Sequence, residues 1–182
     1  MDMFWINKAR DFANSAHGTQ TRKYTGVPYW HHLQEVAQTL LRYSASPQLV
    51  AAGWLHDVLE DTSVTYEMLQ DEFDMVIAHL VLEVTDVSRP AHGKRPFRKR
   101  LDRQYLAGAS AYGQMIKCAD IISNTRDIVA NDLRFARGCY VAEKVALIDV
   151  LSNARMLSYP LWKAAYDVVE QAKMEVERAA AE

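Results

Sequence analysis

Residues 47–61 read Pro47-Gln48-Leu49-Val50-Ala51-Ala52-Gly53-Trp54-Leu55-His56-Asp57-Val58-Leu59-Glu60-Asp61. Proline is tolerated in the first turn of a helix, where its missing N–H leaves no bond unmade, so Pro47 opens a helix predicted to run through about Glu60. Leu49, Val50, Ala51, Ala52, Trp54, Leu55, Val58 and Leu59 leave that helix almost no polar face. A helix that is apolar all round belongs at the centre of a domain, with other helices packed on it.

The rest of the chain supplies those helices. Apolar residues at three- and four-residue spacing recur throughout, while alternating β-branched runs bounded by tight turns are scarce, so the expected class is all-α. Phe4 to Ala16 carries an apolar stripe at positions 4, 5, 9, 12, 13 and 16, with Gly18 just beyond as a stop. Gly26 and Pro28 among polar residues mark Thr19 to Pro28 as a loop leading to a second helix over Trp30 to Ser44. Thr65, Met68, Phe73, Val76, Ile77, Leu80, Val81 and Val84 predict a fourth helix ending near Thr85. Asp86 to Pro96 is irregular, with Pro90, Gly93 and Pro96. Helical patterns resume over Phe97 to Gly108, Tyr112 to Ala130, Ala136 to Ser158 and Pro160 to Ala181. No internal repeat or low-complexity linker divides the 182 residues, so a single domain is expected.

Composition narrows the function classes. Apolar residues make up 49% and charged residues 24%, with seven glycines and five prolines, which is globular. A net charge of −2 argues against a nucleic-acid partner held by bulk electrostatics. No run approaches the roughly 18 apolar residues of a spanning helix, so no membrane partner is expected. Asp2, Asn7, Lys8 and Arg10 interrupt the first stretch before it could serve as a signal peptide. With Cys118 and Cys139 as its two cysteines, the chain fits a reducing cytoplasm. Composition sets no oligomeric state.

Four groups of residues could carry chemistry. On a helix through Glu60, Glu60 follows His56 by four and Asp61 follows Asp57 by four, which stacks the pairs on neighbouring faces. Four ionisable groups then crowd one end of an apolar helix, where buried carboxylates need compensation. A divalent cation supplies it by taking imidazole nitrogen and carboxylate oxygen as ligands, a donor set suited to manganese, iron or zinc. The alternative is a solvated acidic last turn. Lys117, Asp120 and Asn124 form a polar stripe on a helix otherwise made of Met115, Ile116, Cys118, Ala119, Ile121, Ile122 and Ile128. Either that stripe serves a site or Asp120 pairs with Lys117 one turn before it. Around the first loop, Arg22-Lys23 precedes Tyr29-Trp30-His31-His32; arginine forks onto phosphate or stacks on a base, and histidine ligates metals. Adjacent helical positions diverge by about 100°, so one of His31 and His32 points inward. From Ser88 to Arg103, Arg89, Lys94, Arg95, Arg98, Lys99, Arg100 and Arg103 stand against the single acid Asp102. That run is a phosphate-gripping segment or a solvated basic face.

Taken in order, the pieces are Arg22-Lys23, Gly26, Pro28-Tyr29 and His32, then His56-Asp57 and Glu60-Asp61-Thr62, then Lys117, Ala119-Asp120, Asn124 and Arg126-Asp127. This order resembles the HD phosphohydrolase superfamily and, within it, the hydrolase domain of the RelA/SpoT-type alarmone enzymes, over roughly residues 5 to 150. The resemblance implies an HD-domain helical bundle. With no room for synthetase or regulatory domains, it implies a stand-alone small alarmone hydrolase of the metazoan SpoT-homologue kind. It also implies one divalent metal ion, usually manganese, held by His32, His56, Asp57 and Asp120, with His31 a bystander.

In the same resemblance Glu60 and Asp61 position and activate the attacking water. Arg22 and Lys23 match residues beside the nucleotide base and its phosphates. Asn124 matches a residue on the sugar or its 3′-phosphate, Tyr140 a tyrosine near the substrate, and Arg95 and Lys99 the cations that grip pyrophosphate. The implied reaction releases pyrophosphate from guanosine 3′,5′-bis(diphosphate) or its pentaphosphate. An adenosine alarmone or the 2′-phosphate of NADPH is the alternative substrate, and a catalytically silent alarmone sensor the non-enzymatic alternative. The family's Pro-Tyr-Ile-x-His-Pro reads Pro28-Tyr29-Trp30-His31-His32-Leu33 here, which alters packing near the metal and removes no ligand.

Overall fold

The computed structural model describes residues 3–43 and 45–181, and it bears out the all-α expectation. Among the described residues, β pairing is confined to an isolated antiparallel bridge between Thr21 and Pro28. Backbone contacts divide the chain into two compact units, Met1–Asp86 and Val87–Glu182.

In the first unit, α1 spans Phe4–His17 and ends as its sequence predicts: Gly18 takes φ +54°, and its N–H returns to Asn14 O at 3.0 Å. Helix α2 spans Trp30–Arg42; the end expected at Ser44 lies outside the described residues. Helix α3 spans Pro47–Leu55, its first turn capped by Ser46 Oγ, which accepts the Leu49 N–H at 3.2 Å. Every residue from Leu49 to Leu55 is buried, and α1 and α2 pack on this helix. Burying each large apolar side chain contributes about 1.5–3 kcal/mol, so α3 dominates the core of this unit. A Cβ on Gly53 would lie 2.5 Å from Leu40 Cδ1, so glycine is what lets α2 approach α3 this closely.

The helix expected to continue through Glu60 stops at Leu55. His56 and Asp57 form a turn, with Asp57 at φ −101° and ψ −4°, and a short helix α4 follows over Val58–Asp61. The cause is local: His56 Nδ1 folds back onto Gly53 O at 2.9 Å, and Asp57 leaves helical geometry as its carboxylate meets that imidazole. The expected fourth helix is likewise two, α5 over Tyr66–Glu72 and α6 over Met75–Val84. Asp74 Oδ1 accepts the Ile77 N–H at 2.8 Å and restarts the helix as an N-cap. Phe73, extended at the break, turns its ring into Trp5 and Phe12 of α1. Helix α6 also packs on α3.

The second unit opens on a 3₁₀ turn, Pro90–His92, inside the stretch expected to be irregular. Helix α7 spans Arg95–Ala107, starting two residues before the expected Phe97 because Pro96 sits comfortably in a first turn. Buried Asp102 ties the preceding segment to it, accepting from the Ser88 N–H at 2.8 Å and the Ser88 hydroxyl at 2.9 Å. Helix α8 spans Ala111–Asn131 and is buried without interruption from Gly113 to Ser123. In place of the helix expected over 136–158 come a π turn (Ala136–Tyr140), α10 (Val141–Ile148) and α11 (Ser152–Leu157), preceded by the short α9 (Leu133–Phe135). Buried Gln114 explains where α11 begins: its Oε1 accepts the Asn153 and Ala154 N–H groups at 2.9 and 3.1 Å, donors a helix N-terminus leaves unpaired. Helix α12, Tyr159–Ala181, packs along α8, α10 and α11. No helix among the described residues is long and apolar enough to cross a membrane.

Candidate metal centre

The first turn of α2 and the turn after α3 bring three donor side chains of two types to one point. His32 and His56, each 1% exposed, set their Nε2 atoms 3.2 Å apart. Asp57 Oδ2 lies 3.1 Å from His56 Nε2 and 3.4 Å from His32 Nε2. Donors about 2.1 Å from one cation sit about 3.0 Å apart on an octahedral edge and about 3.4 Å apart on a tetrahedral one, so these separations fit a bound ion. Among the described residues, this is the group of histidine, cysteine and acidic donors that converges, all within 4.8 Å of one another. The chemistry of the donors fits too. His56 Nδ1 donates to Gly53 O, which leaves Nε2 with its lone pair facing the cluster. His31, by contrast, stacks on Trp30 at 3.8 Å and takes no part in the cluster.

Asp57 is held as an anion. Burial pushes its carboxyl up, but the imidazoles of His56 and His32 outweigh that and hold it well below the usual carboxylate range. Tyr29 adds a hydrogen bond, its hydroxyl donating to Asp57 Oδ2 at 2.6 Å. The acidic pair lies on α4: Glu60 Oε1 accepts the Asp86 N–H at 2.7 Å, and Asp61 Oδ2 accepts from Gln20 Nε2 at 3.1 Å.

Tyr29, Gln20 and His17 are contacts that the sequence reading did not single out for these roles. His17 closes α1, stacks on Tyr29 and bonds Gln20. Their signal in sequence is weak, because Gln20 and Asp61 are 41 positions apart and Tyr29 and Asp57 are 28 apart.

Arg22 is buried, and its backbone closes the loop by donating to Val27 O at 2.8 Å and accepting from the Gly26 N–H at 3.0 Å. Lys23 is exposed, with Nζ over the Tyr24 ring. The other residues picked from the sequence belong to the second unit. Asp120 is buried on α8, pairs with Lys117 Nζ at 3.1 Å and accepts from Asn124 Nδ2. The local pairing offered as an alternative for Asp120 is thus present. Tyr140 is buried with its hydroxyl 3.2 Å from Thr125 Oγ1. Arg95 makes a two-pronged bond to Glu143, both contacts 2.7 Å, which raises its already high pKa further. Lys99 Nζ lies 3.5 Å from Asp102 Oδ2.

Residues 9–128 match the HD domain family. That span contains the converging donors, the acidic pair, Asp120 and Asn124, and it crosses the boundary between the two units. The chain is 38% identical over 126 residues to a guanosine-3′,5′-bis(diphosphate) 3′-pyrophosphohydrolase of Spiroplasma citri, covering 68% of this chain and 17% of that protein. A protein of the same name from Aquifex aeolicus is 40% identical over 84 residues, 46% of this chain and 12% of its own length. A probable chloroplastic GTP diphosphokinase of Arabidopsis thaliana is 35% identical over 130 residues, 69% and 18%. The chain thus spans less than a fifth of each of these relatives. A solved structure, described as a metazoan ortholog of SpoT that hydrolyzes ppGpp and plays a role in starvation responses, superposes with a TM-score of 0.81. The two are 27% identical, and the match covers 92% of this chain and 95% of the other.

Proposed function

The chain belongs to the HD-domain family, and from that membership we propose that it hydrolyses the 3′-pyrophosphate of guanosine 3′,5′-bis(diphosphate) and of its pentaphosphate. The products are GDP or GTP and pyrophosphate. The observation that carries this reading is the convergence of His32, His56 and Asp57 just ahead of Glu60 and Asp61, within the residues that match the HD domain family, in a chain whose relatives include proteins named for that reaction.

The proposed cofactor is one divalent ion at this cluster, manganese by family resemblance, with Asp120 as a fourth protein ligand. Such an ion, when bound, acidifies water and offsets charge on phosphoryl oxygens. The chain's own groups do the rest. Asp61 or Glu60 takes the proton of the attacking water, a task suited to carboxylates already held by the Gln20 amide and the Asp86 N–H. Arg22 and Lys23 lie beside the base and its phosphates, and Asn124 contacts the sugar or its 3′-phosphate. Arg95 and Lys99 are assigned to the departing pyrophosphate, where cationic donors stabilise developing charge, and Tyr140 to the neighbourhood of the substrate. The family match crosses residue 86, which supports reading both compact units as one HD domain. A cytoplasmic setting is supported by the free thiols of Cys118 and Cys139.

Metal analysis of the purified chain, followed by a pyrophosphate-release assay over guanosine and adenosine alarmones and NADPH, tests the proposal. The expected result is one metal per chain and pyrophosphate from the guanosine substrates. Binding without turnover would replace the hydrolase with a sensor, and release from adenosine nucleotides or NADPH alone would reassign the substrate.

A further inference from the structure

Beside the metal cluster, the first unit buries one more imidazole, that of His17, which is 7% exposed. Its two ring nitrogens are served unequally. Nδ1 lies 2.7 Å from Gln20 Oε1, while Nε2 is buried with no hydrogen-bond partner among the described residues. A stranded polar atom in a buried place costs free energy, so a phenyl ring would fill this space more cheaply. What the imidazole adds is a donor at Nδ1.

That donor leads to the acidic pair. Gln20 Nε2 donates to Asp61 Oδ2 at 3.1 Å. A carboxylate only accepts, so the amide presents its oxygen to His17 and Nδ1 carries the hydrogen. The face of the same ring leads to the metal ligands: it stacks on Tyr29 with centroids 4.9 Å apart and planes at 24°, and the Tyr29 hydroxyl donates to Asp57 Oδ2. The backbone fixes the arrangement, with the Gln20 N–H on His17 O at 3.0 Å and the Tyr29 N–H on Gln20 O at 2.9 Å.

We infer that His17 is a positioning residue that serves two carboxylates through two parts of one ring. Its face, through Tyr29, keeps Asp57 in register with His32 and His56. Its Nδ1–H, through Gln20, orients Asp61. The inference rests on the proposed roles of Asp57 in metal binding and Asp61 in proton transfer.

Variants of the whole chain separate the two arms. After dialysis against limiting Mn(II), each is measured for manganese per chain, for Tm, and for kcat and KM with guanosine 3′,5′-bis(diphosphate). His17→Phe keeps the stack and removes the stranded nitrogen. It should hold wild-type manganese at a Tm no lower than wild type, with kcat down about 10-fold and KM within about twofold. His17→Ala loses the stack as well, and its manganese affinity should fall about 10-fold below that of His17→Phe. Gln20→Leu should show the same kcat loss, and the double variant His17→Phe/Gln20→Leu no further loss, because both act along one chain. Should His17→Phe fold poorly, Gln20→Leu carries the kcat prediction with the ring in place.

Wild-type kcat in His17→Phe and Gln20→Leu, or additive losses in the double variant, overturns the Gln20 arm. Equal manganese affinity in His17→Ala and His17→Phe overturns the Tyr29 arm. Asp61→Asn separates these results from a failure of the functional reading. If Asp61→Asn is inactive while His17→Phe is fully active, the inference falls and the reading stands; if Asp61→Asn is active, the role of Asp61 and the Gln20 arm fall together.

Discussion

Replacing Asp57 by Asn keeps the side chain's shape and removes its charge, and the expected consequence is loss of metal-linked stability. In the native chain the carboxylate meets Tyr29 Oη at 2.6 Å, His56 Nε2 at 3.1 Å and His32 Nε2 at 3.4 Å, and its pKa is held low, so it is the anionic member of the cluster at neutral pH. A ligand present at about 100 times its Kd stabilises the folded state by about 2.7 kcal/mol. For a chain of this length each kcal/mol moves Tm by roughly 2–4 °C, so saturating Mn(II) should raise the wild-type Tm by about 5–11 °C. If losing the anionic ligand weakens binding about 100-fold, the same Mn(II) gives Asp57→Asn about 0.4 kcal/mol, a rise of no more than about 2 °C. Scanning calorimetry in EDTA and in Mn(II) reads both values, with pyrophosphate release assayed in parallel. Because each variant is compared with itself, the cost of the substitution to the metal-free fold cancels. A wild-type Tm rise, or turnover, in Asp57→Asn would refute the assignment of the cluster.

Cys118 is buried on α8, and burial pushes its thiol up to about 12, whereas Cys139 is half-buried. A native thiol titration at pH 8 should therefore count one cysteine at most, and two after denaturation. The unfolded thiol ionises near 8.5, so above that pH the unfolded chain sheds a proton the native chain retains. The linked stability is complete below about 8.5 and declines as pH rises toward 12, which urea midpoints should follow and Cys118→Ala should flatten. Gly53→Ala gains about 1 kcal/mol of helix propensity but drives a Cβ toward buried Leu40, an overpacking cost of about 1–3 kcal/mol. A net loss of up to about 2 kcal/mol is expected in urea denaturation, and a stabilised variant would contradict the close approach of α2 and α3. Arg95→Gln breaks the fork to Glu143, whose arginine side chain is 39% exposed, so stability should change by less than about 1 kcal/mol. KM for the guanosine substrate should rise severalfold, and an unchanged KM would remove Arg95 from the pyrophosphate grip.

Helix ends that depend on one residue are legible in the sequence alone. Gly18 closes α1 and Pro47 opens α3 because backbone conformation at those positions is intrinsic to the residue type. Breaks inside apolar runs are not legible in the same way. Asp74 restarts a helix within a continuous hydrophobic pattern, and α11 begins where a buried glutamine from another helix receives its first N–H groups. The site follows the same division. His56, Asp57, Glu60 and Asp61 announce themselves by crowding charge onto an apolar segment. His17, Gln20 and Tyr29 do not, since each looks like an ordinary polar residue at a helix end or in a loop until tertiary folding supplies its partner.

The turn at His56 and Asp57 has a consequence for how such a site can be lost. Neighbouring side chains on an unbroken helix leave the axis about 100° apart, which would aim one of this pair away from His32. By stopping α3 at Leu55 and placing Asp57 at φ −101°, the main chain resets its phase, and two consecutive residues address a single point. The donor set proposed for the metal is therefore written in backbone phase as much as in residue identity. A one-residue insertion in α3, or a substitution that made 55–58 regular, would leave His32, His56 and Asp57 in the sequence and scatter them in space.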